Sequence, residues 1–116
     1  MGRWFAILLV LVAGAVAGCA SDEREEPTAW ELNRVSADGL TLTIAYEIGD
    51  PRCEQFERVE KEERASSVAL RVVVRHFLDA GPCTDVGRIE TASLRLQEPL
   101  SGRRLVDGQS GQTRRP

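Results

Sequence analysis

The stretch Leu40-Thr41-Leu42-Thr43-Ile44-Ala45-Tyr46-Glu47-Ile48 alternates without a break between large apolar residues and small or polar ones. Successive side chains of a strand point to opposite faces. Leu40, Leu42, Ile44, Tyr46 and Ile48 therefore share one face, and Thr41, Thr43, Ala45 and Glu47 the other. A helix would scatter the same apolar residues around its axis. The segment reads as a half-buried strand, and the rest of the fold must cover its apolar face. Upstream, Trp30 to Val35 reads as another strand, with Trp30, Leu32 and Arg34 on one side and Glu31, Asn33 and Val35 on the other. Ser36-Ala37-Asp38-Gly39 lies between the two and carries the Asp-Gly signal of a hairpin turn, so the pair is expected to be antiparallel.

Downstream, Ser67 to Phe77 alternates again. Val68, Leu70, Val72, Val74 and His76 share one face; Ala69, Arg71, Val73, Arg75 and Phe77 share the other. Its β-branched content suits a pleated surface. Arg88 to Leu96 places Ala92, Leu94 and Leu96 inward, and Glu98-Pro99 stops it because proline cannot donate to a ladder. Arg103 to Val106 forms a short last strand. Glu54 to Arg64 supports two readings. Phe56 and Val59 lie three apart, and Glu57–Lys61 and Glu60–Arg64 have the spacing of helical ion pairs. The surrounding strand signals recur every 8–14 residues, which favours an edge strand whose charges block edge-to-edge association. The expected fold class is all-β, a small antiparallel β-sandwich or open barrel.

The 116 residues include 15 basic and 18 acidic side chains and one His, room for one small domain. Of these charges only Arg3 falls in the first 18 residues, which leaves the remainder at net −4. That balance offers no basic face for a phosphate backbone, so no nucleic-acid partner is expected.

Behind Arg3, the fourteen residues from Trp4 to Ala17 carry no charge. As a helix they would span about 21 Å at ~1.5 Å per residue, short of the ~30 Å hydrocarbon core. The length suits a signal-peptide helix rather than a membrane span. Val16-Ala17-Gly18-Cys19 then resembles the lipobox of bacterial lipoproteins: a branched apolar residue, two small residues that fit the signal peptidase site, and a free thiol. The resemblance implies removal of residues 1–18 and lipidation of Cys19 with a diacylglyceryl group carrying palmitate-type chains. It also implies residence at the cell membrane, lipid-anchored and facing the extracytoplasmic side. Two or more acyl chains hold a protein stably where one holds it weakly. Ala20 is not the Asp that retains such proteins at the inner membrane of two-membrane bacteria. Residues 20–29 hold four acids, one base and nothing apolar larger than Ala. Residues 19–29 are thus expected to be a lipidated Cys and a disordered acidic spacer, 30–108 the β domain, and 109–116 a disordered tail.

With Cys19 lipidated, Cys53 and Cys83 remain, an even number in an exported chain, and one disulfide is expected. They sit in the turn-rich stretches Gly49-Asp50-Pro51-Arg52-Cys53 and Gly81-Pro82-Cys83-Thr84-Asp85. Closing that loop is worth roughly 3–4 kcal/mol by chain entropy, a large share for a domain with a thin core. The pair lacks the Cys-x-x-Cys spacing of redox centres.

Candidate chemistry is sparse. His76 is the only imidazole, and no three ligands cluster with it in the sequence, so neither a metal nor another cofactor is expected. Gly108-Gln109-Ser110-Gly111 fails as a nucleophile elbow, because Gln112 stands where the second Gly belongs. Glu60, Glu62 and Glu63 are interleaved with Lys61 and Arg64, a solvated face rather than paired catalytic acids. No catalytic set emerges. A Cys53–Cys83 bridge would bring Asp50, Arg52, Thr84 and Asp85 together as a candidate recognition patch; the competing reading is turn chemistry, with Asp capping its own backbone.

Fourteen Arg against one Lys mark a high-GC coding composition. The turns around Cys53 and Cys83, the strand from Val68 to Val74, Leu96 to Pro99 and Arg103 to Gly108 resemble small uncharacterised actinobacterial lipoproteins. The resemblance implies a β-rich, disulfide-stapled domain and assigns no activity. The expected function is a non-enzymatic, membrane-tethered interaction module whose sheet face or loop end binds an envelope protein or polymer. Two alternatives stand beside it: a small-ligand or metal-binding lipoprotein using Asp50, Asp85 and Trp30, and a small envelope enzyme.

Overall fold

The computed structural model describes residues 23–115. The apolar run, the lipobox and Cys19 lie outside the described residues. The described chain is all strand and no helix: β1 (Glu23–Thr28), β2 (Trp30–Val35), β3 (Thr41–Ile48), β4 (Glu54–Glu63), β5 (Ser67–Phe77), β6 (Arg88–Arg95), β7 (Arg104–Asp107) and β8 (Thr113–Arg114). Two sheets form. One has the order β2-β3-β6; the other has β1-β5-β7-β8, with β4 on the second edge of β5. Leu42, Ile44, Tyr46 and Ile48 of β3 face Val68, Leu70, Val72 and Val74 of β5 across the core, and Trp30, Leu96 and Leu105 complete it. This is the sandwich that the two alternating strands required.

Two bulges correct the sequence reading. In β2 the pairing runs Leu32↔Ile44, Arg34↔Thr43, Val35↔Leu42, so Asn33 is an extra residue. The bulge shifts the phase: Val35 packs against the core with Trp30 and Leu32, and Arg34 is exposed, the reverse of strict alternation. In β4 the pairing runs Phe56↔Val74, Arg58↔Val73, Val59↔Val72, so Glu57 is the extra residue. Phe56 and Val59 therefore stand on one face of a strand although they lie three apart. The bulge mimics helical spacing, and β4 is the charged edge strand.

The turns follow the sequence. Ser36 N–H donates to Thr41 O at 2.9 Å, and Asp38 Oδ1 accepts from Leu40 N–H at 3.0 Å. Gly39 has φ +74°, a left-handed conformation that a side chain resists.

Three expectations fail. Residues 23–28 are not disordered spacer but β1, paired residue for residue from Glu23↔Phe77 to Thr28↔Val72. Its acids are matched from distant strands: Glu25 by Arg58 at 2.8 Å and Glu23 by Arg75 at 3.3 Å. Local hydrophobicity cannot register such partners. Residues 109–116 are not wholly a tail either. Thr113–Arg114 pairs with β7, and Arg114 lies 5.8 Å from the Trp30 ring and 3.1 Å from Asp107. Finally, β7 runs parallel to β5. The turn after β6 delivers the chain into the other sheet at the end where β5 starts, so the two strands run the same way.

Candidate functional site

The two cysteine loops meet at one end of the sandwich. Cys53 and Cys83 are bonded, with Cα atoms 6.0 Å apart. Cys53 is buried and Cys83 exposed. Gly49 to Cys53 turns between β3 and β4; Asp50 O accepts from both Cys53 and Glu54 N–H at 2.8 Å. Asp50 is 6% exposed, and its side chain binds across the two loops. Its Oδ1 accepts from Arg52 N–H at 3.0 Å and Arg52 Nε at 3.3 Å. Its Oδ2 accepts from Arg52 Nη2 at 2.9 Å, Thr84 N–H at 3.1 Å and Thr84 Oγ1 at 3.3 Å. The Arg52 guanidinium, reinforced by the backbone N–H groups of Arg52 and Thr84, holds the Asp50 carboxyl far below the usual carboxylate range.

Three of the four patch residues are thus brought together, Asp50, Arg52 and Thr84. Asp85 is exposed, stands outside that network and lines the adjoining groove with Thr28, Glu47 and Val86. The Asp50 oxygens already take five donors, which leaves this carboxylate little capacity to coordinate an added ion or carry a proton. The cluster is a clamp between two loops, the turn chemistry that competed with recognition in the sequence.

His76 lies beside the clamp. Its Nε2 is 3.3 Å from Glu26 and its Nδ1 is 3.3 Å from Glu54. Glu54 in turn accepts from Gly49 N–H at 2.6 Å. The ring bridges two carboxylates that lie on opposite nitrogens, so the three side chains do not converge on a point. Among the described residues no group of three His, Cys, Asp or Glu could hold a metal ion. Trp30 lies apart from Asp50 and Asp85. It lines a cavity of about 310 Å³ with Tyr46, Glu47, Ile89 and Arg114, and its buried Nε1 meets no acceptor among the described residues.

The opposite end holds a cluster that sequence reasoning missed. Glu63 accepts from Gln97 N–H at 2.9 Å and pairs with Arg103 at 3.2 Å and Lys61 at 3.3 Å. The Arg103 side chain is 8% exposed and donates to Glu98 O at 2.6 Å and Pro99 O at 3.0 Å. The Gln97 N–H, with Arg103 and Lys61, lowers the Glu63 pKa to about 2. Glu60 and Glu62 do lie on a solvated face; Glu63 is half-buried, because Gln97 and Arg103 reach it from more than thirty residues away.

Compared with family models, curated proteins and solved structures, the chain matches none.

Proposed function

We propose that the chain is a bacterial lipoprotein, anchored through a diacylglyceryl group on Cys19 and facing the extracytoplasmic side, that acts as a non-enzymatic binding module. The Cys53–Cys83 bridge carries the reading, because such a bond persists in oxidising compartments outside the cytoplasm. The signal-length apolar run ending in Val16-Ala17-Gly18-Cys19 supplies the anchor. The partner is an envelope protein or polymer. The test is the intact mass of membrane-extracted protein alkylated without reduction. Loss of residues 1–18, added acyl mass and unalkylated Cys53 and Cys83 support the reading. An unlipidated chain with two free thiols overturns it. Cross-linking in intact cells then reads the partner; no reproducible neighbour counts against the binding role.

The Trp30 cavity favours one second reading, a small amphipathic ligand held against Tyr46, Ile89 and Arg114. Trp30 fluorescence of the mature protein would then respond within a metabolite panel, and silence across the panel removes this reading.

A further inference from the structure

Resting on the lipidation of Cys19, we propose that the cysteine-bridged end of the sandwich lies against the bilayer, with Leu78 and Val86 of the β5–β6 connection touching lipid. The order of β1 sets the geometry. Glu23 already lies in β1 and stands only four residues after Cys19 in the sequence. Four Cα steps reach at most about 14 Å at ~3.3–3.6 Å per residue. Glu23 stands opposite Phe77, the last residue of β5. The exit of β5 is thus held within roughly one further strand spacing, ~5 Å, of that reach. A disordered ten-residue spacer would have let the domain tumble away from the surface; a three-residue tether does not.

The surface held there is the apolar one. Among the described residues the exposed large hydrophobic ones are Phe56, Leu78, Val86 and Ile89, and Leu78 and Val86 are 60% and 68% exposed. Leu78 stands at the entry of the β5–β6 connection, Val86 at its exit, and Ile89 just inside β6. Cys83 and Thr84 lie between them and are fastened to Cys53 and Asp50, so the connection is pinned to the sandwich at its centre. Its surroundings carry Glu23, Glu47, Glu54, Asp79 and Asp85 beside Arg24, Arg52 and Arg88, an acidic excess, so the tether and the apolar side chains, not charge attraction, hold this end at the head groups. The contact needs little affinity of its own, since a short tether keeps the loop at millimolar effective concentration at the surface. The far end, where Leu100 N–H bonds Gly39 O at 3.0 Å, then points outward and is the end offered to a partner.

The full lipidated chain, reconstituted in phosphatidylcholine–phosphatidylglycerol vesicles, tests this. Leu78→Cys, Val86→Cys and Ser101→Cys each take a fluorophore at an exposed position, and head-group nitroxide lipids serve as quencher. Flotation of the vesicles reads the anchor separately. Several-fold stronger quenching at positions 78 and 86 than at 101 in floating samples is the expected result. Equal quenching at the three sites, or stronger quenching at 101, in chains that float overturns the orientation and leaves the anchor standing. A chain that fails to float overturns the anchor and the orientation with it.

Discussion

Replacing the disulfide by Cys53→Ala/Cys83→Ser removes a restraint on the unfolded chain more than a contact in the folded one. The bridged residues are 30 apart in sequence, and loop-closure entropy gives about 3.7 kcal/mol for a loop of that size. Little in the folded state changes. Cys83 is exposed, so Ser there removes no burial. Cys53 is buried, and Ala leaves a void near methyl size, worth about 1 kcal/mol. Asp50 still joins Arg52 to Thr84 and keeps the two loops together. At about 4–8 °C per kcal/mol for a domain of this size, the two losses together lower the melting temperature by ~20–40 °C. The assay is thermal and urea unfolding of the oxidised protein and the variant, followed by far-ultraviolet circular dichroism, with amide exchange at Thr84 reporting the folded loops. A loss below about 1 kcal/mol with Thr84 still protected would refute the reasoning, since the loops would then be restrained in the unfolded ensemble without the bond.

Three further outcomes are expected. Leu70→Ala empties a fully buried site between the sheets and lowers stability by about 2–5 kcal/mol in urea unfolding. Glu63 has its folded pKa depressed to about 2 from 4.5, so the stability it confers is present above the ordinary carboxylate pKa and drains away as pH falls from there toward the folded value; an acid-denaturation series on Glu63→Gln shows a shallower loss over that window. Asp50→Ala releases Thr84 N–H and Thr84 Oγ1, and hydrogen exchange at Arg52 and Thr84 accelerates while the β3 and β5 amides keep their protection.

Strands were legible wherever burial imposed a period on the residues themselves. The β3 segment announced its faces because one side is core and the other water, and β5 did so nearly as well. The disulfide was legible from parity, since two cysteines remained once Cys19 was assigned to lipid. Arg34, Val35 and the Phe56–Val59 pair were misread or left open for one reason. A bulge inserts a residue and reverses the phase, and nothing local marks where. The candidate patch was half legible. Asp50 and Arg52 are neighbours in sequence, whereas Thr84 reaches them only through the fold, and Asp85 stands outside their network.

The sequence by itself determined an all-β chain, its hairpin and its bridged cysteines, and it raised the membrane address proposed above. Each of these is encoded in neighbouring residues: alternation, Asp-Gly, a count of thiols, an apolar run of a certain length. Tertiary structure alone decided that an acidic segment becomes β1, that Arg114 covers Trp30, that β7 runs parallel to β5, and that Glu63 meets Arg103 and the Gln97 N–H. Those outcomes depend on partners dozens of residues away. Charge pairs and ladder hydrogen bonds form only after the apolar faces of β3 and β5 have brought the strands together, so their signal exists in space and not along the chain.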